Sequence, residues 1–335
     1  EALAEQGISV DVWSLARGGD GAFFRPVDDR VGVRLMPFPE IDGESVGARI
    51  LRSIEALAAA FDAGAYDVVH AQDCISANSV PRCVRTIHHL DEFTTPELVA
   101  CHERAIVRPY AHICVSAAVA TEVESRWGIR PTVIPNGVDA ARFAAAAGDV
   151  AGRREWAQRL GRYVLAVGGV EPRKGTADLV IAMAAVQRTD PGLRLVIAGG
   201  ETLFDYRDYR AAVLKAAADL GVDLEVLGPV EHDRIRPLMA QASVFAFPSI
   251  KEGFGLAAME ALAAGVPVVM RDLPVLREIF GDSAAFAATA EHLAEAILAA
   301  SVASDAGRTR RGQNLAYAHS WTAAARRHIA FYRGL

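Results

Sequence analysis

The sequence predicts an α/β protein of two doubly wound domains, and three observations carry that expectation. Short, continuously apolar strand patterns recur at Val68, Ile113, Val133, Val164, Leu195, Val226, Val244 and Val268. Helical patterns separate most of them; Ile50, Leu51, Ile54, Leu57, Ala58 and Phe61 mark the inner face of one such helix. The β-α series starts afresh at Tyr163. Strands that are apolar throughout belong to parallel sheets covered by helices on both faces. A restarted series is a second Rossmann-like unit.

The length of 335 residues suits two cores better than one. With 52% hydrophobic and 23% charged residues, the composition is globular rather than disordered. The formal net charge of -6 argues against a general nucleic-acid binder. Four cysteines, Cys74, Cys83, Cys101 and Cys114, form no C-x-x-C pair and read as reduced thiols of a cytoplasmic protein. No apolar run reaches the length of a membrane span. Peripheral membrane contact stays open.

Two places read as incomplete. Glu1 to Gly7 resembles the last turns of a helix ending on a glycine, with strand Ile8 to Leu15 after it, so the first domain is expected to lack its first strand. Between the strands Asp67–His70 and Cys83–Ile87, residues 71–82 show no helical period. A parallel crossover normally contains a helix, so residues are expected to be missing near Ser79 and Val80. The turn cluster Pro135-Asn136-Gly137-Val138-Asp139 reads as structural, and the unpatterned stretch 140–149 as the joint. The expected domains are 1–145 and 146–318, followed by a helix over 319–335. Whether that helix packs back on the first domain is left open.

The most specific signal lies in the second domain. Strand Val244–Phe247 ends at Pro248, and the loop Ser249-Ile-Lys-Glu252-Gly253-Phe254-Gly255-Leu256 opens a helix carrying Glu260 and ending near Gly265. Ligands of open α/β sheets bind at the carboxyl ends of strands. A glycine-opened helix offers free N–H groups to phosphate. Eight residues of helix would separate Glu252 and Glu260 by roughly 12 Å, enough to serve two parts of one ligand. A nucleotide sugar has that form, with hydroxyl groups on both sides of a diphosphate. An amphipathic helix with two surface glutamates would show the same spacing. A second loop, Val167-Gly168-Gly169-Val170-Glu171-Pro172-Arg173-Lys174-Gly175, sets two cations beside a glycine turn, as a diphosphate leaving group requires. Gly199, Pro229 and Val230 follow two further strands at the same edge.

The Glu252–Glu260 segment resembles the E-x7-E signature of retaining glycosyltransferases with two Rossmann-like domains facing across a cleft, the GT-B fold, and in particular glycosyltransferase family 4. The resemblance implies that Glu252 meets the donor sugar and Glu260 the ribose. It implies that the backbone of Phe254, Gly255 and Leu256 meets phosphate, and that Arg173 and Lys174 stabilise the leaving diphosphate. Many relatives have an arginine where this chain has Gly169. UDP- or GDP-sugars are the usual donors, and no cofactor or metal is implied.

Thr86-Ile87-His88-His89-Leu90-Asp91 follows a strand of the first domain. By the same resemblance His88 matches a histidine near the reacting carbon, with His89 as the alternative. His70, Asp73 and Asp91 are candidates for the acceptor side. Three histidines and two aspartates also invite a metal reading, but adjacent His88 and His89 would point to different sides of a strand. The expected activity is retaining transfer of a sugar from a nucleotide sugar to a small-molecule, lipid-linked or peptide acceptor that the sequence does not identify. A nucleotide-sugar epimerase, a phosphorylase and a nucleotide-sugar-binding protein without turnover are the alternatives. A dinucleotide oxidoreductase ranks below them, because no G-x-G-x-x-G follows a strand.

Overall fold

The computed structural model describes residues 1–16, 26–93, 95–200, 206–303 and 305–335. It divides into two compact units, Glu1–Pro135 with Trp321–Leu335, and Asn136–Ser320.

The first unit opens with α1 (Ala2–Glu5), whose end is closed by Gly7 at φ 82°. The Gly7 N–H bonds the Ala4 carbonyl and the Ile8 N–H the Leu3 carbonyl, a left-handed glycine cap. Strands β1 (Val10–Ala16) and β2 (Val31–Pro37) pair in parallel as a two-stranded sheet of their own. Helix α2 (Val46–Ala60) starts at Ser45, whose hydroxyl accepts the Ala48 N–H. It buries Ile50, Ser53 and Leu57, whereas Leu51 is 38% exposed and Ala58 also faces solvent. The expected inner face is therefore rotated: each residue step turns about 100°, and the core follows the 50–53–57 line.

The crossover after β3 (His70–Ala71) does contain a helix, α3 (Cys74–Ser79), contrary to the sequence expectation. Six residues are too few to display a helical period. The helix is fixed instead by a capping box, in which Asp73 accepts the Ser76 N–H and the Ser76 hydroxyl accepts the Asp73 N–H. Then follow β4 (Val84–Ile87), α4 (Pro96–Val107), β5 (Ala111–Cys114), α5 (Ala117–Trp127) and β6 (Thr132–Val133). Strands β3-β4-β5-β6 form one parallel sheet. Ile87, Leu90, Ile106, Cys114, Val119 and Val123 pack together on it.

The second unit begins where the sequence shows only an unpatterned joint. Residues 140–149 contain α6 (Ala140–Ala145), capped by Asp139, and lead into α7 (Val150–Leu160), capped by Asp149. Alanine favours helix even without an apolar period, and the two aspartates supply the starts. The division between units falls at Pro135/Asn136, ahead of the stretch the sequence picks. The unit continues through β7 (Arg162–Val167), α8 (Thr176–Thr189), β8 (Leu193–Ala198), α9 (Arg207–Asp219), β9 (Leu224–Gly228), α10 (His232–Gln241), β10 (Val244–Phe247), α11 (Leu256–Ala263), β11 (Val268–Arg271), α12 (Pro274–Phe280), β12 (Ala285–Ala287), α13 (Ala290–Val302) and α14 (Ala306–Ala318).

These six strands form one parallel sheet in the order β12-β11-β10-β7-β8-β9. The chain reverses its direction of travel between β7 and β10, so the carboxyl ends of those two strands are the switch point where ligands bind in such sheets. Val164, Val244, Val269, Leu195 and Ile197 are buried on the face covered by α8 and α13.

The last helix, α15 (Trp321–Tyr332), belongs to the first unit. Phe331 packs on the cluster of Val84, Ile113 and Ile134. The Tyr332 hydroxyl lies 2.6 Å from His70 Nδ1, and His70 Nε2 lies 2.7 Å from the Thr86 hydroxyl. Tyr332→Phe leaves that ring nitrogen without its partner and is expected to cost about 1–2 kcal/mol. Urea denaturation of the two chains checks it, and an unchanged midpoint would contradict the anchoring role of Tyr332.

Candidate functional site

Four loops of the second unit leave the carboxyl ends of adjacent strands: 168–175 after β7, 199–200 after β8, 229–230 after β9 and 248–255 after β10. Their glycines permit the approach. A Cβ on Gly199 would stand 2.2 Å from the Gly168 carbonyl oxygen. Gly175, at φ 65°, would place a Cβ 2.1 Å from the Pro248 carbonyl oxygen. Pro229 lies against Gly200. The loops after β7 and β10 are further tied by the Ile250 N–H, which donates to the Arg173 carbonyl at 2.8 Å.

This approach brings the predicted cations to the first predicted glutamate. Lys174 Nζ is 3.0 Å from Glu252 Oε2, and Arg173 Nη1 is 3.9 Å from the same oxygen. Arg173 also bonds Glu171 at 3.0 Å. Glu171 is 5% exposed, and the sequence reading missed it, although its place directly before Pro172-Arg173-Lys174 was the available signal. The Lys174 stem runs over Gly168, so both the glycine turn and the cation occupy one corner. Ser249 is a second omission. Among the described residues its hydroxyl is buried without a partner, beside a hollow of about 20 Å³ that Gly168, Gly169, Lys174 and Thr176 also line. Arg271 braces the same loop by donating to the Pro248 carbonyl at 3.3 Å while pairing with Asp178.

Helix α11 begins at Gly255 (φ 90°) with no side-chain cap on its first turn. Gly253, Phe254 and Gly255 are buried, and Leu256 is half-buried. The Phe254 ring stands 5.8 Å from that of His319. Glu252 lies before this helix, so the expected helical rise between Glu252 and Glu260 does not apply: only 256–260 is helical. Among the described residues no side chain pairs with the Glu260 carboxylate, and burial alone pushes its pKa up to about 7.

In the first unit the candidates separate. His70 has both ring nitrogens engaged, and burial, with His328, Arg85 and His88 nearby, holds its pKa down to about 3. It serves as a neutral core histidine between β4 and α15. Asp73 is the cap of α3. His88 sits at the end of β4, with Nε2 3.0 Å from Gln72 Oε1, and its pKa is lowered to about 4 by burial and then by Arg85 and His89. His89 pairs instead with Asp91 at 3.1 Å. Arg85, unremarked in the sequence, is 7% exposed; it donates to the carbonyls of Ala71 and Thr86, and its Nε has no partner among the described residues. Among the described residues no group of three His, Cys, Asp or Glu side chains converges as metal ligands would.

Two α/β units, each built on a parallel sheet, are the architecture of the GT-B glycosyltransferases. Residues 154–311 match the model "Glycosyl transferases group 1", and residues 1–142 match "Glycosyltransferase Family 4". The chain is 31% identical to the D-inositol 3-phosphate glycosyltransferase of Salinispora arenicola, over 80% of this chain and 68% of that one. It is 32% identical to the phosphatidyl-myo-inositol mannosyltransferase of Mycolicibacterium smegmatis, over 56% of this chain and 48% of that one. It thus spans about half the length of the mannosyltransferase. Its fold is that of sucrose-phosphate synthase from Thermosynechococcus elongatus (TM-score 0.77, 21% identity, covering 100% of this chain and 90% of that one). WaaG, a glycosyltransferase involved in lipopolysaccharide biosynthesis, is similar (TM-score 0.74, 15% identity, 99% and 93%). The chain belongs to glycosyltransferase family 4. Among the described residues no helix is long and apolar enough to cross a membrane.

The raised pKa of Glu260 has a consequence for stability. The folded chain holds its proton more tightly than the unfolded chain, so stability falls as pH rises from about 4.5 through about 7, and the penalty is complete above that. A shift of this size corresponds to about 3 kcal/mol. Glu260→Gln is therefore expected to stabilise the chain at pH 8 and to have little effect at pH 5. Denaturation at the two pH values measures this, and an equal effect at both would contradict it.

Proposed function

We propose that this chain transfers a sugar, with retention at the anomeric carbon, from a nucleotide-sugar donor held by the second unit to a hydroxyl acceptor handled by the first. The observation that carries the reading is the Lys174–Glu252 pair beside Gly168 and Gly169, together with the unpaired Glu260 on the adjoining helix. Lys174 and Arg173 are cations fixed in position before any ligand arrives, and such preorganised charge stabilises a diphosphate as it leaves. The uncapped amides at the start of α11 add their dipole. Glu252 orients the sugar hydroxyls. Glu260 accepts from the ribose hydroxyls, which gives hydrogen bonds to a half-buried carboxylate that has no side-chain partner among the described residues. In retention of this kind the departing phosphate oxygen accepts the acceptor's proton, so no separate protein base is needed. His88, neutral across the physiological range, positions the acceptor or the donor sugar by hydrogen bonding.

A UDP- or GDP-sugar is the proposed donor. UDP and glucose accompany the neighbouring Anabaena HepE structure, and UDP-2-fluoro glucose accompanies a trehalose-6-phosphate structure from E. coli. Polyol acceptors of the inositol type come first for trial, given the activities named for the two sequence relatives. Four free thiols suit a reducing cytoplasm.

Thermal-shift screening against nucleotides and their sugars tests the donor assignment. One nucleotide series is expected to raise the melting temperature. Lys174→Ala and Glu260→Ala should each weaken its binding by about tenfold or more. Glu252→Ala and His88→Ala should lower transfer more than affinity. Nucleotide affinity untouched by both Lys174→Ala and Glu260→Ala would refute the donor site.

A further inference from the structure

A hollow of about 390 Å³ lies in the second unit between the segment 281–286 and the first turns of α14. Arg277, Arg308 and Arg311 line it, against Asp282 as the only carboxylate in the lining. Gly281 to Ala284 lead into β12, so the hollow opens at the amino-terminal side of that strand, whereas the donor loops follow the carboxyl ends of theirs. None of the residues assigned to the donor lines it.

The three arginines are not equivalent. Arg277 is committed: it pairs with Asp272 through two hydrogen bonds and lies over the Phe286 ring, 4.5 Å from its centroid. It forms a fixed wall. Arg308, its side chain 42% exposed, has among the described residues only a 3.8 Å ion pair from its Nε to Asp305, and that Nε is buried without a hydrogen-bond partner. Arg311 donates only to the Asp282 carbonyl, at 3.5 Å, and among the described residues no carboxylate reaches it as an ion pair. Residues three apart share one helix face, so Arg308 and Arg311 present two guanidinium groups side by side. Arg311 is exposed, whereas the buried Arg308 Nε is a donor whose missing partner costs free energy unless a ligand supplies one. The guanidinium fork matches phosphate oxygens in pairs, and the volume is within the range of small-molecule sites.

We propose that this hollow is a second anion site, which binds a phosphate group through Arg308 and Arg311. The phosphate belongs to a soluble phosphate ester or diphosphate, or to an anionic phospholipid headgroup.

Inorganic pyrophosphate is the probe. Calorimetry is done at low salt on the full chain carrying Arg173→Gln and Lys174→Gln, so that the proposed donor site does not answer and its failure stays separate. Saturable binding at one site is expected. Adding Arg308→Gln and Arg311→Gln should weaken it by tenfold or more. Arg310→Gln, an exposed change on the same helix outside the hollow, should leave it unaltered. Co-sedimentation with vesicles of phosphatidylcholine plus phosphatidate separates the sources. Sedimentation that needs Arg308 and Arg311 assigns a headgroup; pyrophosphate binding without sedimentation assigns a soluble ligand. Tungstate soaked into crystals of the parent chain should lie between the two arginines, which covers the case of variants that fold poorly. Neither pyrophosphate nor vesicle binding, or an equal loss with Arg310→Gln, overturns the site.

Discussion

The corner proposed for the donor in the second unit depends on a close backbone approach. Gly175 meets the Pro248 carbonyl at a distance no side chain would permit, in a left-handed conformation that glycine adopts freely. That contact sets the loop after β7 against the loop after β10, the two strands at the switch point. Lys174 precedes Gly175 and Glu252 follows Pro248, so the ion pair between them results from the same contact. A similar approach, Gly199 against Gly168, closes the β7–β8 side. The cations, the glycine turn and the start of α11 are thus positioned by the sheet, through rigid short loops, before any side chain contributes.

Charge is handled in two ways at this corner. Lys174 and Arg173 share carboxylates with Glu252 and Glu171, which keeps enclosed cations compensated. Glu260 is half-buried with no side-chain partner among the described residues, and that burial raises its pKa. A group maintained at such a cost fits a part reserved for ligand, and strain of this kind gathers at functional sites. The first unit shows the opposite arrangement at His70, where both ring nitrogens are satisfied and the side chain ties α15 to the sheet.

Much of this was legible in the sequence wherever a pattern was long or chemically specific. The strands around Val164, Leu195, Val226, Val244 and Val268 appear as expected because fully buried parallel strands are apolar throughout. The Glu252–Glu260 segment and Lys174 were readable because they carry glycines and charges at fixed offsets. Short or compensated features were not. Helix α3 has too few residues for a period, and α6 is built from alanine without an apolar stripe. Strands β2 and β12 escaped, the latter with only three residues. Histidine type alone did not separate His70, a core anchor, from His88 at the strand end. Arg85 and Ser249 became visible only through burial, which sequence does not print. The lines of the hollow around Arg308 were equally silent, since a Gly-Arg-Thr-Arg-Arg run reads as an ordinary solvated helix face.

The central claim is that the unpaired Glu260 carboxylate is the nucleotide's partner, and proton linkage tests it most directly. Calorimetric titration of the nucleotide near pH 6.5, in two buffers of different ionisation enthalpy, counts the protons exchanged on binding. Ribose hydroxyls that donate to Glu260 would favour its charged form and lower a pKa that now stands at about 7. Release of a substantial fraction of one proton, lost in Glu260→Gln, is the predicted result. Binding with no proton release, or with release that persists in Glu260→Gln, would contradict the account.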